Sequence, residues 1–480
     1  MVAVNHARPR YTAKDRHTGT IQMPFDPTLA AIRFGTGLSA TLPPPGDVDS
    51  MLALLTGPDT AGLAYPIPGF DAAQPRLADF RQLMKDRRDA RGTDREAGLQ
   101  ELYQHMRRDA RGARLRFFQA TLARGVTSPD GLRERLALFW ADHFTVRSRD
   151  NFSAYLVAPF AADAIRPHLT GTFRAMLRAV MTHPMMLIYL DQVRSVGPDS
   201  RLGQRQGRGL NENLARELLE LHTLGVDGPY DQTDVRELAE LLTGLVWTPD
   251  GGFAYNPAWA EPGPETVLGV TYDASATLDT VLAALDGIAA HPATARHIAH
   301  KLAVHFVADL PDPGLVQDLT EVFVQTGGDL LAVVTALLNH PAAWTPQLQK
   351  VKPPFGYLTS ALRALGVRGE ALTSLTLRQT ETLFGGPLTV MGQPWEEPPG
   401  PDGWPEEGAA WVTPQAMAGR IDWAMTMPAA LVTPLPDPRD FVRTALGPTP
   451  PDPVVFAAGA AENITIGVGL VLSSSAFQRR

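Results

Sequence analysis

Three stretches of the chain repeat one pattern. GTFRAMLRAVMTHP (171–184), DTVLAALDGIAAHP (279–292) and GDLLAVVTALLNHP (328–341) each carry an apolar-faced helical run into His-Pro. The residue before a proline is pushed out of the helical region, while proline suits the first position of a following helix. His183-Pro184, His291-Pro292 and His340-Pro341 therefore mark helix–helix corners. There the imidazole bonds a terminal amide or carbonyl; metal ligation is the rival use of the same three rings. A corner used three times predicts an all-α fold, a large multi-helix array.

The remaining sequence agrees with few or no strands. Residues 250–275 read as a loop with at most a short hairpin, and 386–408 is too rich in Pro and Gly for regular structure. Trp395, Trp404 and Trp411 mark this second stretch as a packed loop, and loops of such length are often functional. At 480 residues the chain exceeds the roughly 250–300 that one core serves. Residues 23–480 are expected to form either one large helical assembly or two packed subdomains, 23–250 and 251–480. Residues 1–22 look like a disordered tail before Met23 and lack the apolar region of a secretory signal. The chain as written is expected to be cytoplasmic, with export on a partner's signal left open. No apolar run approaches the ~20 residues of a membrane span.

With no cysteine, disulfides, thiolate catalysis and Cys-based zinc sites are excluded. A net charge of −8 argues against nucleic acid as the main partner. Only five of the 43 basic residues are lysine: Lys14, Lys85, Lys301, Lys350 and Lys352. Arginine's fork suits carboxylate, phosphate and sulfate.

Chemistry concentrates in NENLARELLELH (211–222). At ~100° per residue, Asn213, Arg216, Glu217 and Glu220 share one face, while His222 falls among the leucines. Two glutamates three apart suit acid/base work or metal ligation. They equally suit a solvated face, because Glu212–Arg216 and Arg216–Glu220 are i,i+4 pairs. The preceding GQRQGRGLNEN is a glycine-rich basic loop with Arg205 and Arg208, and Asn211 is the expected N-cap. Free amides beside arginines make an anion site. His143, after an aromatic run, serves with Asp142 as base and orienter or simply caps its helix. Thr233 is the expected N-cap of the next helix.

The run RGLNENLARELLELHTLGVDGPYDQTDVRELAELLTG closely resembles the signature of the bacterial family known as domain of unknown function 1800. AAIRFGTGL, RERLALFWADHFTV, VKPPFGYLTSALRALG, MGQPWEEPPGPDGW and SSAFQRR resemble further blocks of it, in family order over roughly residues 24–480. The resemblance implies a mainly helical protein of unsettled activity. Many members are exported, and many are encoded beside proteins resembling the sulfatase and alkaline-phosphatase superfamily. The family pattern falls on His143, Asn211, Glu212, Asn213, Arg216, Glu217, Glu220 and His222, and on Asp191 in YLDQ. Pro229 replaces the usual turn glycine, and Ala141-Asp142 replaces the usual polar or aromatic pair before His143.

The expected function is a hydrolase-like enzyme acting on an anionic or carbohydrate-type substrate. Glu217, Glu220 and His143 would do the chemistry, and Asn211, Asn213, Arg208, Arg216 and Asp191 would hold the ligand. The cofactor stays open between a divalent metal and none. The alternative is a non-catalytic binding or assembly partner of a sulfatase-like protein, anchored through Trp395 or Trp404.

Overall fold

The computed structural model describes residues 25–480 apart from 149, 151, 249–251 and 274–276. The expected tail at 1–22 and Met23 lie outside the described residues. The fold is all-α, 62% helical with 4% strand. Its strands form two antiparallel hairpins, Leu245–Thr248 with Gly252–Tyr255 and Glu265–Val267 with Val270–Tyr272. No helix among the described residues is long and apolar enough to cross a membrane.

Seven helices position the features below. They are α1 (Glu96–Thr127), α2 (Gly131–His143), α3 (Asn213–Glu217), α4 (Pro292–Phe306), α5 (Pro354–Ala364), α6 (Pro414–Thr426) and α7 (Ile464–Ser473). Local chemistry explains their starts. The Asp130 carboxylate accepts the Arg133 N–H to begin α2, and the Thr413 hydroxyl and Asn463 amide begin α6 and α7 in the same way.

Two hydrophobic clusters fill the interior. One gathers residues between Leu29 and Trp344, and the other gathers residues 115–126 together with 355–477. Residues on both sides of 250, such as Leu242 and Val281, belong to the first. Helix α1 serves both: Ala110 and Ala113 face the first cluster, while Phe118, Leu122 and Val126 face the second.

The repeated corners behave alike. His183, His291 and His340 each accept through Nδ1 the backbone N–H two residues on, in every case at 3.1 Å. Each ring thus caps a helix or 3-10 turn whose first residue is proline. Replacing any one by Ala should cost about 0.5–2 kcal/mol of stability, with Asn restoring most of it. Urea unfolding of the three pairs of variants checks this; Ala and Asn behaving identically would refute the capping role.

One expected cap and one expected loop differ. Asp231, not Thr233, opens the helix after the signature, because its carboxylate reaches both Thr233 N and Asp234 N while Asp234 bonds back. Arg205 is not in a loop: Arg201–Gln206 is a short helix closed by Gly207 in the left-handed region.

The signature segment is not one regular helix either. After α3 it widens into a π-helix, Leu218–Thr223. Two imidazoles take up the carbonyls near its end: His143 Nε2 donates to His222 O at 3.1 Å and His297 Nε2 to Leu221 O at 3.0 Å. Short π segments are costly and occur often at functional sites.

Candidate active site

Helices α2 and α4 cross along a buried polar seam. On α4 the seam is a stripe, His297, Lys301 and His305, four residues apart. His143 faces His297 and His222, with ring centroids 6.2 and 6.0 Å away. Burial holds His143 and His222 neutral, His222 down to about 3 and His297 to about 4. Both ring nitrogens of His222 and Nδ1 of His143 are buried without a hydrogen-bond partner. His222 thus lies on the apolar side, as its spacing predicts.

Further along the seam, Arg135 Nη2 donates to His305 Nε2 at 3.0 Å. Arginine has no acceptor, so the imidazole proton resides on Nδ1. That nitrogen donates to Glu406 at 2.5 Å. Glu406 also takes Lys350 at 3.2 Å and Arg480 at 3.7 Å. Although burial opposes ionisation, His305 and then Arg480 and Lys350 hold this carboxyl well below the usual range. Strand-like pairing of 350–352 with 478–480 brings the cations together: Lys352 N bonds Gln478 O, and Arg480 N bonds Lys350 O.

A cavity of about 230 Å³ opens beside the seam, lined from both hydrophobic clusters. Val146 and Phe160 come from the first, Phe355 from the second. Its ionisable lining includes Asp142, Glu396, Lys352, Arg135 and Arg480. Asp142 accepts Trp404 N at 2.9 Å, and burial pushes its carboxyl up to about 7. Burial likewise raises Glu396 to about 7, despite Arg114 at 3.5 Å. Glu396 sits at φ 57°, in the left-handed region that non-glycine residues seldom occupy, and such strain clusters at functional sites. Beside it, the Trp395 indole N–H is buried with no partner. A concave space with convergent titratable groups displaced towards neutrality is the usual sign of an active site.

None of the eight residues singled out from the sequence lines this cavity. Arg216 pairs with Glu212 at 3.1 Å and Glu220 at 3.4 Å, and bonds Gln232 at 3.0 Å. Glu217 is half-buried, its carboxyl raised by burial and then by Glu220 and Asp402. Asn211 Oδ1 accepts the Asn213 N–H at 2.9 Å, supplying the expected cap bond, although the helix counts Glu212 as its N-cap. Asn213 itself is exposed. Arg208 stacks on Trp259 at 5.1 Å, and Asp191 is a left-handed residue 3.9 Å from Arg194. His143 joins the π segment, not Glu217 or Glu220. Its neighbour Asp142 is the one that reaches the cavity.

As for metal, one trio among the described residues brings carboxylate oxygens within 4.8 Å of one another: Glu237, Glu240 and Glu265. Glu217 and Glu220 are not in it. Burial and the Glu237 hydrogen bond raise Glu265 to about 8, so at neutral pH this trio shares a proton.

The sequence profile of the family described as "Protein of unknown function (DUF1800)" matches residues 35–479. The chain belongs to that family. No curated protein and no solved structure matches it. The family match covers the cavity lining from Gly35 through Asp142 and Lys352 to Glu406, and leaves out Ile32 at one end and Arg480 at the other.

Proposed function

We propose that the protein is a hydrolase-type enzyme whose small-molecule substrate enters the 230 Å³ cavity, with Asp142 and Glu396 as its acid–base carboxyls. The observation that carries this is the pair itself: two buried carboxyls facing one cavity, each shifted by burial to about 7. At pH 7 each group is about half ionised, so about half of the molecules hold one carboxylate and one carboxylic acid. The first withdraws a proton from water and the second supplies one to the leaving group, a division of labour worth about 10²–10⁴ in rate per group. The Trp395 ring, packed on Phe118 and Phe355 at 4.8 and 5.0 Å, supports a rigid apolar wall behind them.

A second reading places the chemistry on the α3 face. Glu217 is raised by burial and lies near Asp402, on the same segment as Trp404. Variants separate the two. Chromogenic esters, phosphate esters, sulfate esters and glycosides would be screened with the purified chain. Asp142→Asn and Glu396→Gln should each lower the turnover found by at least about 100-fold with little change in melting. The Glu217→Gln, Glu220→Gln pair should retain it. The opposite pattern moves the site to the α3 face, and turnover unaffected by either set removes both.

A further inference from the structure

We propose that the end of the cavity where Arg135, Lys352 and Arg480 converge is a binding site for an organic oxyanion, a carboxylate or a phosphate. This rests on the acid–base reading of the same cavity and names the charged group of its substrate.

Charge balance carries the argument. Five cations gather here, Arg135, Lys350, Lys352, Arg420 and Arg480, and the two carboxylates Glu406 and Asp309 act on Arg135, Lys350 and Arg480 but not on Lys352 or Arg420. Lys350 takes both carboxylates: its ammonium lies 2.7 Å from Asp309 and 3.2 Å from Glu406. Among the described residues Lys352 has no carboxylate within ion-pair distance. Its ammonium donates to the Phe477 carbonyl at 2.7 Å and lies 4.0 Å from that residue's ring centre. Arg135 finds neutral acceptors, the His305 ring at 3.0 Å and the Gly35 carbonyl at 3.4 Å. Arg480 reaches Glu406 through Nη2, but its Nε is buried with no partner. Buried charge without a counter-ion is strongly unfavourable. An oxyanion in the cavity supplies the missing one, and arginine forks are well matched to it.

Lysine usage points the same way. In a chain with 38 arginines and five lysines, Lys350 and Lys352 lie in this network and Lys301 in the adjoining seam. Lysine, unlike arginine, can lose its proton when buried. The groups facing Lys352 are Arg420 from α6, Arg135 from α2 and Arg480 from the last segment. Burial first, and these cations next, lower its ammonium to about 7. An incoming anion restores the proton. Binding therefore takes up a proton, and affinity falls as pH rises above about 7, approaching tenfold per unit.

Calorimetric titration of the full chain with inorganic phosphate and with benzoate tests this. Benzoate keeps one charge across the range, so it carries the pH arm; the stronger of the two ligands shows which oxyanion the site prefers. The expected result is saturable binding at pH 7, proton uptake seen by comparing two buffers, and at least a tenfold loss for benzoate between pH 7 and 9. Lys352→Met should weaken binding at pH 7 tenfold or more and leave only the shallower pH dependence set by Asp142 and Glu396, which ionise over the same range. Absence of saturable binding by both probes, or binding without proton uptake in the unaltered chain, overturns the site. Asp142→Asn keeps the two proposals apart. If it binds benzoate normally and still turns over substrate, the acid–base assignment fails while the anion site stands.

Discussion

Glu406→Gln is expected to lower the unfolding free energy by about 3–5 kcal/mol, the usual consequence of removing one partner from a buried ionic network. The carboxylate is the shared acceptor for His305, Lys350 and Arg480, with side-chain exposures of 10%, 0% and 5%. Without its charge, Asp309 remains the nearest counter-ion to Lys350, and Arg480 loses its ion pair. Neighbouring cations cannot turn to water, because the 350–352 and 478–480 segments lock each other in place. Urea unfolding at pH 7 reads the loss. Adding Lys350→Met should recover part of it, since the pair then leaves together. A loss below about 1 kcal/mol would mean that the cations are already compensated some other way.

The second large effect is on acid stability. Burial depresses His143, His222, His297 and His305 far below their ordinary value, His305 to about 3. A base with a depressed folded pKa leaves the native state holding fewer protons than the unfolded chain. Its stabilisation is complete above about pH 6.5 and is lost as pH falls towards the folded value, at about 1.4 kcal/mol per group per unit. Asp142, Glu396 and Glu265 are raised and act in the opposite sense over the same window, so the net slope is the smaller difference. A variant isolates one group. His222→Met sacrifices no hydrogen bond, because neither ring nitrogen has a partner. Relative to the parent it should gain about 2 kcal/mol between pH 7 and pH 5. Unfolding curves at pH 7, 6 and 5 give the comparison, and parallel profiles would show that His222 titrates normally.

How much of this was legible beforehand divides along physical lines. The corners were legible because the His-Pro rule is local: proline's ring restricts its predecessor whatever packs around it. The sorting of His222 from Arg216 and Glu220 was legible for a similar reason, since one helical turn fixes which residues share a face. The π segment was not, because its cost is met by His143 and His297 from elements 79 and 76 residues away. Thr233 lost the cap to Asp231 because both residue types cap well and only the chain's entry angle decides. The cavity was least visible. Asp142, Lys352, Glu396 and Arg480 come from four distant segments, and no spacing rule joins them. Two signals nevertheless existed: lysines in an arginine-dominated chain, and the spacing of His297, Lys301 and His305.

Helix α1 is ~48 Å long at 1.5 Å per residue; its middle turn packs in the first hydrophobic cluster and its last turns in the second. Neither half of the molecule owns a complete interior; each borrows a wall from the other. The chain is therefore expected to unfold in one cooperative transition and not as two modules on a tether. Whatever occupies the cavity between the clusters strengthens the mutual grip of both, so its binding energy is felt across the whole polypeptide.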